Sequence, residues 1–369
     1  PGVAPISLLI AVIGLGLGLY YKQDLKVGDL DQGAPELRAD SRYNKDNAYI
    51  IDNYSTSADV LVVMVKTEEE QCTQYNVLRA MDNLQWELQN TPGVQSSASL
   101  ADVSKIVTKA LNEGNWKWYE ISRNQTIINA SIREAPAGLI NTNCDLTPVL
   151  VFLEDHKAET LETVTERVEE FASNNNNDEY TFMLAAGNAG VEAATNDVIS
   201  SAKNMMLIFV YGVVASLCLL TFRSIRAVLC ILIPLGLTSI LAEAIMAVSG
   251  IGIKVATLPV IALGVGIGVD YGIYIYSKLE KFLLEGKTLQ EAYFETLRST
   301  GKAVIFTGVT LGIGVVTWIF SPIKFQADMG LLLFFMFIWN MVGSIWLLPA
   351  LARFLLRPDR MVAKARANK

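Results

Sequence analysis

The apolar run from Val255 to Tyr276 carries one carboxylic acid, Asp270. An ionised carboxylate inside hydrocarbon costs several kcal/mol unless it is paired or hydrated. A carboxyl in that setting can take up a proton on one side of a membrane and release it on the other. The alternative is a protonated acid that only hydrogen-bonds a neighbouring helix. Around it, Gly264, Gly268 and Gly272 recur every four residues and make a smooth helix face. Such a face lets another helix approach closely, and here it is expected to bring a partner helix against Asp270. Gly308 and Gly312 repeat the pattern further along.

Other polar residues in apolar runs are candidates to support a proton relay: Glu243, Thr307, Thr310 and Asn340. Glu243 is costly to bury and must pair or meet water. The threonines are expected to bond back to their own helix, and Asn340 to bridge helices. The glycines do not fit the dinucleotide fingerprint, which follows a soluble strand. Val269 separates Gly268 from Asp270, and no second mid-run Asp accompanies it, so the intramembrane aspartyl protease pattern is absent. No metal site is expected, because the single His156 has no cysteine neighbours. No cofactor is expected either; the energy source would be a proton gradient.

Six apolar segments position these residues, near 3–20, 204–222, 227–249, 255–278, 302–321 and 328–354. The first is short and rich in Gly; the others are each long enough to cross about 30 Å of hydrocarbon. Hydrophobic residues make up 51% of the 369 and charged ones 18%, with a mean hydropathy of +0.34. Lys and Arg gather in alternate loops: Arg223 and Arg226; Lys278, Lys281, Lys287, Arg298 and Lys302; and the tail from Arg353 to Lys369. Those loops are expected on the cytoplasmic side, which puts 22–203 in the periplasm of a bacterium. The absence of an initial Met suggests that the chain begins inside a longer protein, at or before a membrane helix. Domains are expected at 1–21 (first membrane helix), 22–203 (outside domain), 204–356 (five-helix bundle) and 357–369 (basic tail). Phe282, Leu283, Leu289, Tyr293 and Leu297 share a side of an amphipathic helix predicted over 280–300 at the cytoplasmic face.

Within 22–203, Asp59–Lys66, Leu146–Glu154 and Tyr180–Ala185 read as strands. Helices are marked by Val77, Leu78, Met81, Leu84 and Leu88, and by Leu161, Val164, Val168 and Phe171. Two strand–helix–strand units predict an α+β domain of ferredoxin-like type. An inserted helical element is expected over 100–135, where Trp116, Trp118 and Tyr119 serve either as core or as a path for apolar substrate. Cys72 and Cys144 are expected to form a disulfide if this region is in an oxidising compartment. The net charge of −7 lies mainly here and argues against a nucleic-acid partner.

One span, a large outside domain and five clustered spans resemble half of a resistance-nodulation-division (RND) transporter. The run Gly264-Val-Gly-Ile-Gly-Val-Asp270-Tyr271-Gly272 resembles the Asp-Tyr proton-relay motif of the MMPL-type, hydrophobe/amphiphile exporter branch. Phe222-Arg-Ser-Ile-Arg226 resembles that family's turn between spans, and Leu348-Pro-Ala-Leu351 its closing helix. The resemblance implies a polytopic α-helical membrane protein with a periplasmic porter domain. It implies proton antiport of lipid-like, hydrophobic cargo at the inner membrane, a secondary transporter and not an enzyme. It also implies that this is the C-terminal half, with the first half, membrane lipids, a hydrophobic substrate, further copies of the chain and a periplasmic protein as partners. The relay roles carry over to Asp270 and Tyr271, whose phenol is suited to bonding a carboxylate of the other half. Two other functions share the layout: an accessory subunit of the Sec translocation machinery, and a lipid- or sterol-sensing receptor. The Sec-type helix usually carries Ala-Asn after the Asp, where this chain has Tyr271-Gly272.

Overall fold

A computed structural model describes residues 4–356. The basic tail 357–369 and residues 1–3 lie outside the described residues. The chain divides into two compact units: a helical unit of residues up to 30, 36–38 and from 199 onward, and a sheet unit of 31–35 and 39–198.

In chain order, α1 (Ala4–Lys22) belongs to the helical unit. The sheet unit holds α2 (Arg42–Asn53), β1 (Val60–Thr67), α3 (Tyr75–Gln89), β2 (Val94–Ser99), α4 (Leu100–Leu111), α5 (Gln125–Ile132), β3 (Leu146–Leu153), α6 (Ala158–Asn175) and β4 (Tyr180–Ala186). Then come α7 (Gly187–Phe222), α8 (Ile225–Val248), α9 (Leu258–Leu284), α10 (Leu289–Thr296), α11 (Lys302–Val316), α12 (Lys324–Val342) and α13 (Leu348–Leu355). Six stretches among the described residues are long and apolar enough to cross a membrane: α1, α7, α8, α9, Leu289–Phe320 and Lys324–Leu355.

The sheet has four strands in the order β2-β3-β1-β4, and every neighbouring pair is antiparallel. Each of β1–α3–β2 and β3–α6–β4 is a split βαβ unit, in which a strand of the other unit fills the gap. The period-two pattern sends Leu61, Val63 and Val65 of β1 and Val149, Val151 and Leu153 of β3 to one face. Against that face lie Val77, Leu78, Met81, Leu84 and Leu88 of α3 and Leu161, Val164, Val168 and Phe171 of α6, the stripes expected from the sequence. Strand β2, Val-Gln-Ser-Ser-Ala-Ser, has no apolar run to announce it and is held by its register with β3. The insertion between β2 and β3 is helical, with α4 opened by a capping box of Ser99 and Asp102. Its aromatic residues are not core: Trp116 and Trp118 are 72% and 42% exposed, and the Lys109 ammonium sits 3.5 Å from the Trp116 ring centre. Cys72 and Cys144 are joined by a disulfide that ties the approach to α3 to the approach to β3.

Asp155 organises the start of α6. It accepts hydrogen bonds from Thr160 Oγ1 (2.6 Å) and the Lys157 amide (3.2 Å), and it pairs with the Lys157 ammonium at 2.9 Å. Burial pushes its carboxyl up, but Thr160 and Lys157 together outweigh that and hold it below the ordinary carboxylate range.

In the helical unit, α1 packs on α8, both α8 and α12 pack on α9, and α11 packs on α12. The seam of α9 is its glycine stripe. A Cβ at Gly268 would meet Asn340 Nδ2 and lie 2.7 Å from Leu235; one at Gly272 would lie 2.9 Å from Ile231. Asn340 of α12 is buried and donates from Nδ2 to the Gly264 carbonyl at 2.9 Å. It thereby fills the bridging role expected of it. Gly308 and Gly312 do the same for α11, against Met341 and Ile338 of α12.

The single helix predicted over 280–300 is replaced by a broken path. Helix α9 runs on to Leu284, a turn follows, α10 covers only Leu289–Thr296, and a π-helical turn Leu297–Gly301 leads into α11. The break comes at Gly286, whose φ of +91° suits glycine and ends α9. Phe282, Leu283, Leu289 and Tyr293 still turn to the bundle core.

Three outcomes follow from this packing. Reducing the disulfide should destabilise the sheet unit by about 2–4 kcal/mol, read as a drop in its denaturation midpoint. Asp155→Asn should cost about 1 kcal/mol at neutral pH. Because the folded carboxyl titrates lower than the unfolded one, its contribution is present above the ordinary carboxylate pKa. It fades as pH falls through the lowered value, so the gap between variant and parent should close in acid. Gly268→Ala should destabilise the helical unit by about 1–3 kcal/mol. Adding Asn340→Ala should recover part of that loss, measured by thermal unfolding in detergent; a strictly additive pair would mean the two residues do not compete for space.

Candidate functional site

Helix α9 positions the central acid. Pro259 opens its first turn, where no amide partner is lost, and the apolar residues after it sustain 27 residues of helix. Successive residues turn 100° about the axis, so a residue two positions from another points about 200° away. Asp270 is two residues from both Gly268 and Gly272. The glycine stripe faces α8 and α12, and Asp270 faces the opposite way, exposed. The expectation that the glycine seam brings a helix against Asp270 is therefore corrected: spacing within the stripe builds the seam, and the two-residue offset puts the acid behind it.

Tyr271 behaves differently from its neighbour. It is buried inside the bundle, and its hydroxyl has no hydrogen-bond partner among the described residues. Asp270 and Tyr271 do not share a face. The Tyr271 phenol turns into the bundle, away from the exposed face that carries Asp270. On α11, Thr307 and Thr310 are exposed, as are Phe306 and Ile313. Neither threonine hydroxyl makes a hydrogen bond among the described residues, so the expected back-bonding is not formed. The glycine side of α11 is spent on α12, which leaves these hydroxyls on its uncovered side.

Glu243 is claimed by a different partner. It is buried on α8, and its Oε2 pairs with the Lys22 ammonium of α1 at 2.5 Å, while its Oε1 is unpartnered among the described residues. One turn and two turns back along α8 lie Ser239 and Leu235. The Tyr211 hydroxyl of α7 is 2.7 Å from Ser239 Oγ and 3.2 Å from the Leu235 carbonyl. The Leu235 carbonyl, Ser239 and Glu243 thus form a line of polar groups that draws α1 and α7 onto α8. Sequence reasoning missed Lys22 and Tyr211. The signal for both was present: a lysine ending one apolar run and a tyrosine in the middle of another.

The segment after α1 is pinned across loops of the helical unit. Val27 bridges Ile253, the Gly28 amide donates to the Ile253 carbonyl at 2.8 Å, and Asp29 pairs with Lys254. Arg38 donates to the carbonyls of Ile319 (2.7 Å) and Ser321 (2.9 Å). These contacts fix both the loop that leads into α9 and the loop between α11 and α12. In the sheet unit, the lone histidine, His156, lies with Nδ1 3.0 Å from Asp59 Oδ1.

Of the expected site residues, then, the structure joins Cys72 to Cys144 and Asn340 to the glycine stripe. It ties Glu243 to Lys22 and leaves Asp270, Thr307 and Thr310 on uncovered helix faces.

Comparison with known proteins bears on this arrangement. A membrane protein of Methanocaldococcus jannaschii is 23% identical over 282 residues, which are 74% of this chain and 70% of that protein. Membrane protein YdfJ of Bacillus subtilis is 29% identical over 103 residues, 28% of this chain and 14% of YdfJ. The sulfolipid-1 exporter MmpL8 of Mycobacterium tuberculosis is 26% identical over 124 residues, 32% of this chain and 11% of the exporter. The chain thus covers only a small part of the two bacterial relatives' length. The model of the MMPL family matches residues 38–368, nearly all of the sheet unit and the helices that follow. The chain is a multi-pass helical membrane protein with a small antiparallel sheet unit, and it belongs to the MMPL family.

Proposed function

We propose that this chain is part of a proton-driven exporter of hydrophobic or amphipathic, lipid-like molecules, and that Asp270 carries the proton. The observation that carries the reading is the uncovered carboxylate of Asp270 on a membrane-length helix whose other side is closed on α8 and α12. A carboxylate facing bare hydrocarbon is expensive. A second bundle laid against α9 and α11 would give it protein and water in place of lipid. That bundle is either an additional half of a longer protein or a second copy of this chain; the low coverage of the bacterial relatives fits the first, and the similar length of the archaeal relative fits the second.

In this reading, proton binding to Asp270 removes the charge and lets the two bundles close. Proton loss restores the charge, admits water and opens them. Thr307 and Thr310 are the hydroxyls available on the uncovered face of α11. Glu243 and Asn340 hold helices together, through Lys22 and the Gly264 carbonyl. The cargo class is supported by family membership and by the likeness, at low identity, to the mycobacterial sulfolipid-1 exporter.

The sidedness proposed is an inner-membrane protein with the sheet unit in the periplasm. It is supported by the basic residues gathered in alternate loops and by a disulfide in the sheet unit, which favours an oxidising compartment. The antiparallel order β2-β3-β1-β4, with one helix per split βαβ unit, supports the ferredoxin-like reading of that unit as a porter domain.

The test is Asp270→Asn, which keeps shape and removes the titration. In vesicles holding the full-length protein and a trapped pH-sensitive dye, a pH step should drive proton entry through the parent. The variant should slow it by at least about tenfold, a barrier increase of about 1.4 kcal/mol. Unchanged proton entry with Asn at 270 would remove this residue from the mechanism.

A further inference from the structure

The sheet unit contains a second feature, unconnected with Asp270. On α3, Leu84 and Leu88 are fully buried, yet Trp86 between them is 70% exposed. An indole left exposed beside a cavity offers a flat, largely apolar face on which a ligand can stack. Trp86 forms one wall of a cavity of about 470 Å³ between the C-terminal turns of α3 and α6. That volume is in the roughly 300–1,000 Å³ range of small-molecule sites. Glu87 of α3, Asn90 just past its end, and Arg167, Glu170 and Asn174 of α6 line the rest, over a floor of Phe171.

The hydrogen-bonding inventory defines what fits. Asn90 Nδ2 is spent on the Trp86 carbonyl at 2.6 Å, and Arg167 Nη1 on Glu170 Oε2 at 2.9 Å. Among the described residues this leaves Asn90 Oδ1, the Glu87 carboxylate, Glu170 Oε1 and the Asn174 carboxamide without partners. The last-turn carbonyls of Trp86, Glu87, Leu88, Phe171 and Ala172 already accept from Asn90, Thr91, Asn175 and Asn176, so the acceptors on offer are side-chain ones. The groove is therefore rich in acceptors, with a few donors from Arg167 and Asn174. Two carboxylates against one guanidinium make it net negative, which disfavours phosphate, sulfate or carboxylate ligands. A simple cation would suit the carboxylates and the indole, but Arg167 opposes it and the donors would go unanswered.

A ligand that both donates and accepts from many directions, and that has a flat apolar face for the indole, satisfies the whole lining. We propose that this groove binds a neutral saccharide unit, its C–H face stacked on Trp86 and its hydroxyls bonded to Glu87, Asn90, Glu170 and Asn174. The sugar comes either from the headgroup of a glycolipid or from a free glycan.

The test uses the full chain in a zwitterionic, sugar-free detergent against an array of immobilised neutral mono- and disaccharides, with a primary-amine surface alongside. At least one sugar should be retained. Trp86→Ala should weaken that binding by at least about tenfold, or about 1.4 kcal/mol. Trp86→Phe should retain part of it, and Glu87→Gln should weaken it several-fold. Circular dichroism melting of each variant should match the parent, since these side chains lie at the surface. Presenting the winning sugar free and as a lipid headgroup in nanodiscs separates the two sources: tighter binding of the lipid-borne form assigns a headgroup, equal binding a free glycan. The proposal is overturned if no sugar is held at millimolar concentration, if the amine surface is preferred, or if binding survives Trp86→Ala unchanged.

Discussion

The close approach of α9 to α8 and α12 is the constraint on which the helical unit depends. Without side chains at 264, 268 and 272, the backbone of α9 comes near enough for Asn340 to reach the Gly264 carbonyl and for Leu235 and Ile231 to press on the helix directly. Between membrane helices there is no hydrophobic drive to association, so such contact and such a hydrogen bond supply most of the attraction. Once the glycine side of α9 is committed inward, helical geometry leaves no choice about Asp270. The same logic, through Gly308 and Gly312, commits α11 to α12 and turns Thr307 and Thr310 away.

The polar groups of the helical unit fall into two kinds as a result. Those on committed faces are mostly matched: Asn340 with the Gly264 carbonyl, Tyr211 with Ser239, Lys22 with Glu243. Those on uncovered faces, Asp270 above all, have no match among the described residues. A helix bundle in lipid tolerates the first kind because each group meets another. The second kind calls for a partner or water from outside these helices, which is the arrangement proposed for Asp270. The sheet unit is built differently, around an apolar core between one sheet face and two helices, and water serves its surface groups.

Much of this was legible in the chain. The six apolar runs, the alternation of β1 and β3, the core stripes of α3 and α6 and the pairing of Cys72 with Cys144 all rest on local patterns: length, period and compartment. What the pattern hid had physical reasons. Strand β2 is polar and exists because β3 offers it an edge. The facing of Asp270 depends on which side of α9 is taken first, and a motif of adjacent residues does not record that. Tyr271 follows Asp270 in sequence but is a third of a turn away in space. Lys22 was visible as a lysine ending an apolar run, but its pairing with Glu243, 221 positions later, is not a local pattern. Trp116 and Trp118 read either as core or as a path for apolar substrate, and their exposure removes the core reading.

That separation has a consequence for how the protein is made. Lys22 leaves the ribosome about 220 residues before Glu243, roughly 10–45 s earlier at typical synthesis rates. Through that interval α1 must wait in the bilayer with its terminal ammonium at the interface, where a lysine stem can reach headgroups. When α8 arrives it carries a carboxyl that is costly to insert alone. The waiting ammonium offers a charge partner at the moment of insertion. The earlier helix of the pair thus acts as a docking post for one made much later, and an α1 lacking Lys22 would leave α8 to enter the membrane with its acid unescorted.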